Sequence, residues 1–295
     1  MIVKIGQREL ELGGKYLGML REANDLLGDP AALRARMEED GYLLIRGLHD
    51  PELVVEARRV VLENLNSNNQ LDQTYPLMEG VAAKGAKGLF LGGRKEITRK
   101  PEFLSLVESP QIMGFFEEFL GGPVLTYSYK WLRAVGPGSN TGAHYDIVYM
   151  GRGTESVYTA WTPLGDVPLT MGPLAVLMGS HRFERVKETY GKMDVDRDHV
   201  TGWFSNDPVE VIDRHGGQWQ TSTFKAGDVL IFGMFTMHGS LNNTTNLFRL
   251  STDTRYQLAS EPVDERWIGE DPIAHYAWTK GETVPMEVVR AKWGV

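Results

Sequence analysis

Apolar positions follow a helical rhythm in the first third of the chain and a strand rhythm afterwards. Asp29-Pro30 and Asp50-Pro51 each set a capping carboxylate before a proline suited to the first helical turn. Apolar residues then recur through Leu33 and Met37 and from Leu53 to Val61. Ser109-Pro110 repeats the signal. Ile112, Phe115, Phe116 and Phe119 follow it as an aromatic stripe that Gly121, Gly122 and Pro123 terminate. A stripe at that spacing predicts a helix laid on a sheet rather than a binding surface. From Val124 onward, short β-prone runs separated by Gly, Pro and Asn dominate, and no internal repeat is evident. The pattern predicts a mainly β architecture with flanking helices in a single domain over 1–295. Its parts are a helical N-terminal portion at about 15–120, a β core at about 123–256 and a C-terminal extension at 257–295.

Two stretches break this rhythm. Residues 66–100 are rich in Asn, Gly and Lys around a small hydrophobic centre, which suits either a binding loop or a solvated connection. Residues 181–223 carry Trp203, Phe204, Asn206, His215 and Trp219, side chains suited to a sizeable organic ligand or to the packing of an insertion.

Candidate chemistry concentrates in the β region. Residues two apart on a strand share a face, so an extended 142–149 segment would present His144 and Asp146 side by side, with Tyr145 turned away. His238 stands at the far end of a buried-looking strand that a Gly227-Asp228 turn introduces. Two histidines and one carboxylate on one face of an octahedron, with the other face open, make the facial triad of non-heme Fe(II) oxygenases. Arg249 follows eleven residues after His238, and Ser251 lies two further on and so on the same face. A guanidinium offers a planar clamp for a carboxylate, and a neighbouring hydroxyl adds a hydrogen bond. Tyr149 and Arg133 line the same pocket if their strands run in this register. His49, His181, His199, His215 and His275 are expected to serve ordinary structural or surface roles.

These residues resemble the phytanoyl-CoA dioxygenase family of Fe(II)/2-oxoglutarate oxygenases. The segment from Tyr158 to Val167 is similar to the family's tryptophan-containing strand, and Gly172-Pro173-Leu174 through Gly179-Ser180-His181 is similar to its Gly-Pro-Leu…Pro-Gly-Ser-His passage, with Met178 in place of the proline. Glu39 to Arg46 is similar to the opening helix-to-strand passage, so the likeness spans roughly residues 35–256. The resemblance implies a double-stranded β-helix, the jelly-roll barrel of cupin-like proteins. It also implies that His144, Asp146 and His238 bind Fe(II), that Arg249 holds the distal carboxylate of 2-oxoglutarate, and that Trp161 lines the cosubstrate pocket beside Ser251. Oxygen is then the second cosubstrate, with hydroxylation of a C–H bond and release of succinate and carbon dioxide. The carboxylate at Asp146 favours that outcome over halogenation, in which a small residue makes room for halide.

Composition agrees with an enzyme acting on a small molecule. A chain of 295 residues with 42% hydrophobic content buries a substantial core. A formal charge of −8 and a pI near 5.5 argue against broad attachment to nucleic acid or anionic membrane. The absence of cysteine removes disulfides, thiolate zinc sites and iron–sulfur clusters. Charged or polar residues interrupt every longer apolar stretch, so the expected setting is the cytoplasm. Two other readings stay open at this point: a cupin-like metalloenzyme that dispenses with 2-oxoglutarate, and a noncatalytic ligand-binding barrel. Arg249 separates the first from the oxygenase, because only a 2-oxo acid needs a cation there.

Overall fold

The computed structural model describes residues 1–276 and 283–295. The three helices announced by Asp-Pro and Ser-Pro pairs begin where those capping signals lie. Asp29 Oδ1 accepts from the amides of Ala31 and Ala32 ahead of Pro30–Asp40, Asp50 accepts from Glu52 ahead of Pro51–Ser67, and Ser109 Oγ accepts from Ile112 ahead of Pro110–Leu120. Gly121, at φ 78°, closes the last of these in the left-handed conformation.

The strands form two sheets and a small N-terminal hairpin. The larger sheet runs Tyr42–Ile45, Val229–Gly233, Tyr158–Pro163, Arg249–Leu258, Trp131–Val135 and Leu89–Phe90, with Val124–Thr126 also paired to the 249–258 strand. All its neighbours are antiparallel. The smaller sheet runs His238–Ser240, Leu174–Met178, Gln218–Thr221 and Leu17–Met19, its last pair parallel.

Period-two alternation divides the larger sheet into two unlike faces. Tyr42, Leu44, Trp161, Leu230 and Phe232 pack against Leu174 and Val176 of the smaller sheet, so the two sheets share an interior. The intervening residues Leu43, Ile45, Ala160, Val229, Ile231 and Tyr256 meet Leu33, Met37, Ile112, Phe116 and Phe119 of two helices. Leu132, Ala134 and Leu250 meet Val54, Val61, Phe103 and Leu106 of two more. The aromatic stripe therefore lies on the sheet as its spacing predicts, with Phe116 stacked on Tyr256 at 4.2 Å between ring centres. Each such side chain taken from water contributes on the order of 1.5–3 kcal/mol.

Several elements depart from the sequence pattern. The helical N-terminal portion also supplies an edge strand to each sheet, Leu17–Met19 and Tyr42–Ile45. Segment 66–100 is not a free loop throughout, because Leu89–Phe90 pairs with Trp131–Val135. Segment 181–223 holds the helices Glu184–Glu188, Val195–Asp198 and Pro208–His215 and the strand Gln218–Thr221. The run through residues 142–149 does not stay extended. Backbone at Asp146 is helical, and Ile147–Met150 forms one helical turn. Among the described residues no helix is long and apolar enough to cross a membrane.

Candidate active site

His144 and His238 face each other across a two-residue antiparallel bridge, each amide donating to the other's carbonyl at 2.9 and 3.0 Å. The approach depends on Gly239, where an added Cβ would come within 2.8 Å of the Thr141 carbonyl oxygen. The helical turn at Asp146 then swings its carboxylate back toward both rings. His144 Nε2 and His238 Nε2 lie 3.9 and 3.8 Å from Asp146 Oδ1, and the three ligand atoms all fall within 4.8 Å of one another.

The tautomers are fixed by backbone acceptors. His144 Nδ1 donates to the Gly142 carbonyl at 2.8 Å and His238 Nδ1 to the Thr236 carbonyl at 3.0 Å, which leaves both Nε2 lone pairs directed at the shared space. Burial, reinforced at His144 by the neighbouring His238, lowers both imidazoles below their ordinary range and keeps them neutral, as metal ligands must be. Burial alone would raise Asp146. The charge of Arg255, with the hydrogen bond from the Thr159 hydroxyl, outweighs it and holds the carboxylate ionised. Asp146 Oδ2 accepts from Thr159 Oγ1 at 2.6 Å and from Arg255 Nη2 at 3.0 Å, so Oδ1 is the oxygen left for a metal. The donor set and its fixed orientation fit a divalent iron with one face open.

Arg249 lies on the same interior face. It is 1% exposed, donates from Nη1 to Ser251 Oγ at 2.5 Å and packs its guanidinium over the Trp161 ring at 5.6 Å. Its Nε has no hydrogen-bond partner, and among the described residues no carboxylate pairs with it. Burial lowers its pKa to about 10. A desolvated guanidinium with no carboxylate in contact and a free Nε is suited to receive an anion from outside the chain. Trp161, also 1% exposed, stacks edge-on against Phe224.

A cavity of about 270 Å³ opens above His144 and Asp146, walled by Phe90, Trp131, Arg133, Tyr149, Met150, Trp203, Arg255 and His275. Tyr149 and Arg133 thus reach the pocket. Tyr145 points away, its hydroxyl donating to the Ser180 carbonyl at 2.6 Å. Of the aromatic candidates in 181–223, only Trp203 reaches this cavity. Phe204 and Trp219 are core residues, and His215 packs beside Phe183 and Phe204. Asn206 joins Trp203 and Tyr149 around a neighbouring groove of about 610 Å³. His181 is bound to the Glu38 carbonyl and His49 to Thr162, both away from the triad. His275 is a wall of the cavity, held through Nδ1 by Asp196 at 2.9 Å, where the sequence suggests only an ordinary role. Thr159, Arg255 and Asp253 also go unmarked in the motifs. Their one sequence signal is period two, counted from Arg249 to Asp253 and Arg255 and back from Trp161 to Thr159.

Comparison with known proteins decides the family. The family pattern described as Phytanoyl-CoA dioxygenase (PhyH) matches residues 37–251. The chain belongs to the phytanoyl-CoA dioxygenase family. Within it, the chain is 29% identical over 253 residues to a 1-deoxypentalenic acid 11-beta-hydroxylase of Streptomyces exfoliatus, covering 81% of this chain and 85% of that protein. A protein of the same description from Streptomyces arenae is 26% identical over 264 residues, with the same coverage. Among solved structures, the epimerase SnoN in complex with Fe3+, alpha ketoglutarate and nogalamycin RO superposes with a TM-score of 0.57 at 21% identity, over 87% of this chain and 99% of that one. EctD from S. alaskensis in its apoform superposes at 0.57 and 20%, over 90% and 91%. For this phytanoyl-CoA dioxygenase family member, those likenesses place mixed sheets and flanking helices on a shared fold.

Proposed function

We propose that this protein is an Fe(II)- and 2-oxoglutarate-dependent oxygenase that hydroxylates an unactivated C–H bond of a small, largely apolar organic molecule. The observation that carries the reading is the pairing of a buried His-Asp-His set with a buried guanidinium that lacks a carboxylate partner among the described residues. A metal-binding barrel that used no 2-oxo acid would have no need of Arg249. In this reading the two-sheet interior is the jelly-roll barrel of the oxygenases, and the whole chain is one catalytic domain working in the cytoplasm.

His144, His238 and Asp146 Oδ1 hold the metal, and Arg249 with Ser251 holds the distal carboxylate of 2-oxoglutarate against Trp161. Bound iron supplies the activation of oxygen, coupled to decarboxylation of the 2-oxo acid. The chain's own work is positional. Arg255 and Thr159 keep Asp146 turned toward the metal, the backbone carbonyls of Gly142 and Thr236 keep the imidazoles oriented, and the aromatic walls exclude water from the target carbon. The Streptomyces hydroxylases support an oxygen-inserting outcome by their names.

The test is aerobic incubation with Fe(II), 2-oxoglutarate and a panel of small polycyclic acids and alcohols that includes 1-deoxypentalenic acid. Succinate release coupled to the gain of one oxygen atom in a panel member is expected. Substrate turnover that proceeds without 2-oxoglutarate would overturn the reading.

A further inference from the structure

The cavity above the metal ligands has largely aromatic walls and one partly exposed guanidinium, that of Arg133, most of whose donors are unused. Arg133 gives Nε to Asp253 Oδ2 at 2.8 Å and makes no other hydrogen bond among the described residues, which leaves Nη1 and Nη2 as donors to the cavity it lines. Its position is fixed from three sides. Arg133 pairs in register with Ser251, Asp253 anchors its inner edge, and the Phe90 ring lies 5.3 Å beneath the guanidinium. The side chain is 27% exposed, on the open side of the site, whereas Arg249 and Arg255 are sealed in the interior.

Charge points the same way. Fe(II) and doubly ionised 2-oxoglutarate offset each other, and the interior face then sets Arg133, Arg249 and Arg255 against Asp146 and Asp253, with one positive charge in excess. Behind His275, Asp194, Asp196 and Asp264 are engaged with Arg152 and Arg266 and keep one negative charge of their own, which Asp196 directs at the His275 ring and not at Arg133. The unused Nη edge of Arg133, the partly exposed guanidinium of the cavity, favours one carboxylate on the ligand. Trp131, Met150 and Trp203 favour an apolar body behind that charge.

We infer that the substrate is an apolar monocarboxylic acid whose carboxylate is held by the Nη1 and Nη2 edge of Arg133. This rests on the oxygenase reading and names the substrate class for the same site. Arg133 is a specificity residue: it sets the angle at which the apolar body meets the metal, while Arg249 serves the cosubstrate.

The experiment uses the Ni(II)-loaded protein with 2-oxoglutarate, which holds the site without turnover, and measures binding by calorimetry for a set of compact polycyclic acids, adamantane-1-carboxylic acid among them, each beside its own primary amide. The best-binding acid is expected to exceed its amide by about tenfold or more, and Arg133→Gln is expected to erase that preference while 2-oxoglutarate affinity stays within about twofold. Arg133→Lys keeps the charge and is expected to restore part of it. If Arg133→Gln is unstable because Asp253 loses its partner, the double variant Arg133→Gln/Asp253→Asn removes both charges and carries the same expectation. Acids that bind no better than their amides, or an acid preference that survives the loss of Arg133, would overturn the inference. So would a 2-oxoglutarate affinity that collapses in Arg133→Gln, since the residue would then belong to the cosubstrate. Failure of the wild-type protein to bind 2-oxoglutarate at all would instead strike the oxygenase reading.

Discussion

Arg255 donates from Nη2 to Oδ2 of Asp146 at 3.0 Å, and both side chains are 2% exposed. The contact neutralises a buried carboxylate before any metal arrives and dictates which of its oxygens a metal can reach. Breaking a buried pair by removing one partner typically costs about 3–5 kcal/mol, because the other charge is stranded.

Arg255→Met is therefore expected to lower the stability of the metal-free protein by about 3–5 kcal/mol. A divalent ion supplies the missing counter-charge at Asp146, so metal should raise the melting temperature of the variant by more than that of the wild type. Thermal unfolding with and without Zn(II) measures both. Equal metal-induced shifts would show that Arg255 does not compensate Asp146.

The triad is tested by loss of metal. His144→Ala or His238→Ala removes one of three protein ligands and is expected to abolish iron binding and turnover with the fold retained. Asp146→Gly differs in kind because it also strands Arg255. Its stability should fall, and the double variant Asp146→Gly/Arg255→Met should recover stability without recovering iron. Denaturation curves and metal analysis separate the two effects, and near-normal iron content in either histidine variant would dismiss the assignment.

His49 is a reporter of pH remote from the metal ligands. Burial lowers it from about 6.5 to about 4, and its Nε2 lies 3.1 Å from Thr162 Oγ1. Below the unfolded value the unfolded chain takes up a proton that the folded chain refuses, so stability is lost as pH falls from 6.5 toward 4. From about pH 7.5 to about pH 5.5 this one group should account for roughly 1.4 kcal/mol. Urea denaturation of wild type and His49→Gln at the two pH values checks it. The same pH sensitivity in both proteins would contradict the account.

Much of this site is legible in the sequence because its signals are local. Asp29, Asp50 and Ser109 announce helices through hydrogen bonds that span two or three residues, and the pattern of His144, Asp146 and His238 marks the three residues that the fold brings within 4.8 Å of one another. What fails is whatever depends on distant partners. The apparent strand through residues 142–149 breaks at Asp146, where Thr159 and Arg255 capture the carboxylate from the opposite sheet. His275 joins the cavity through partners far from it in sequence, Asp196 at its Nδ1 and the rings of Tyr149 and Trp267. Phe204 and Trp219 have the residue types of a binding loop, but Pro208–His215 folds over them and returns them to the core.

An anaerobic titration tests most directly that one buried site holds iron and a 2-oxo acid together, with Arg249 as the clamp. Adding 2-oxoglutarate to the Fe(II)-loaded protein should produce the weak metal-to-ligand charge-transfer band of a chelated 2-oxo acid. Arg249→Ala should need at least about tenfold more 2-oxoglutarate for half-saturation at nearly unchanged iron content, since losing a desolvated charge pair costs on the order of 2–5 kcal/mol. Arg249→Lys should recover part of the affinity, having the charge without the planar fork. No band in the wild type, or the same half-saturation in Arg249→Ala, would contradict the account and favour a metal-binding barrel that does not use 2-oxoglutarate.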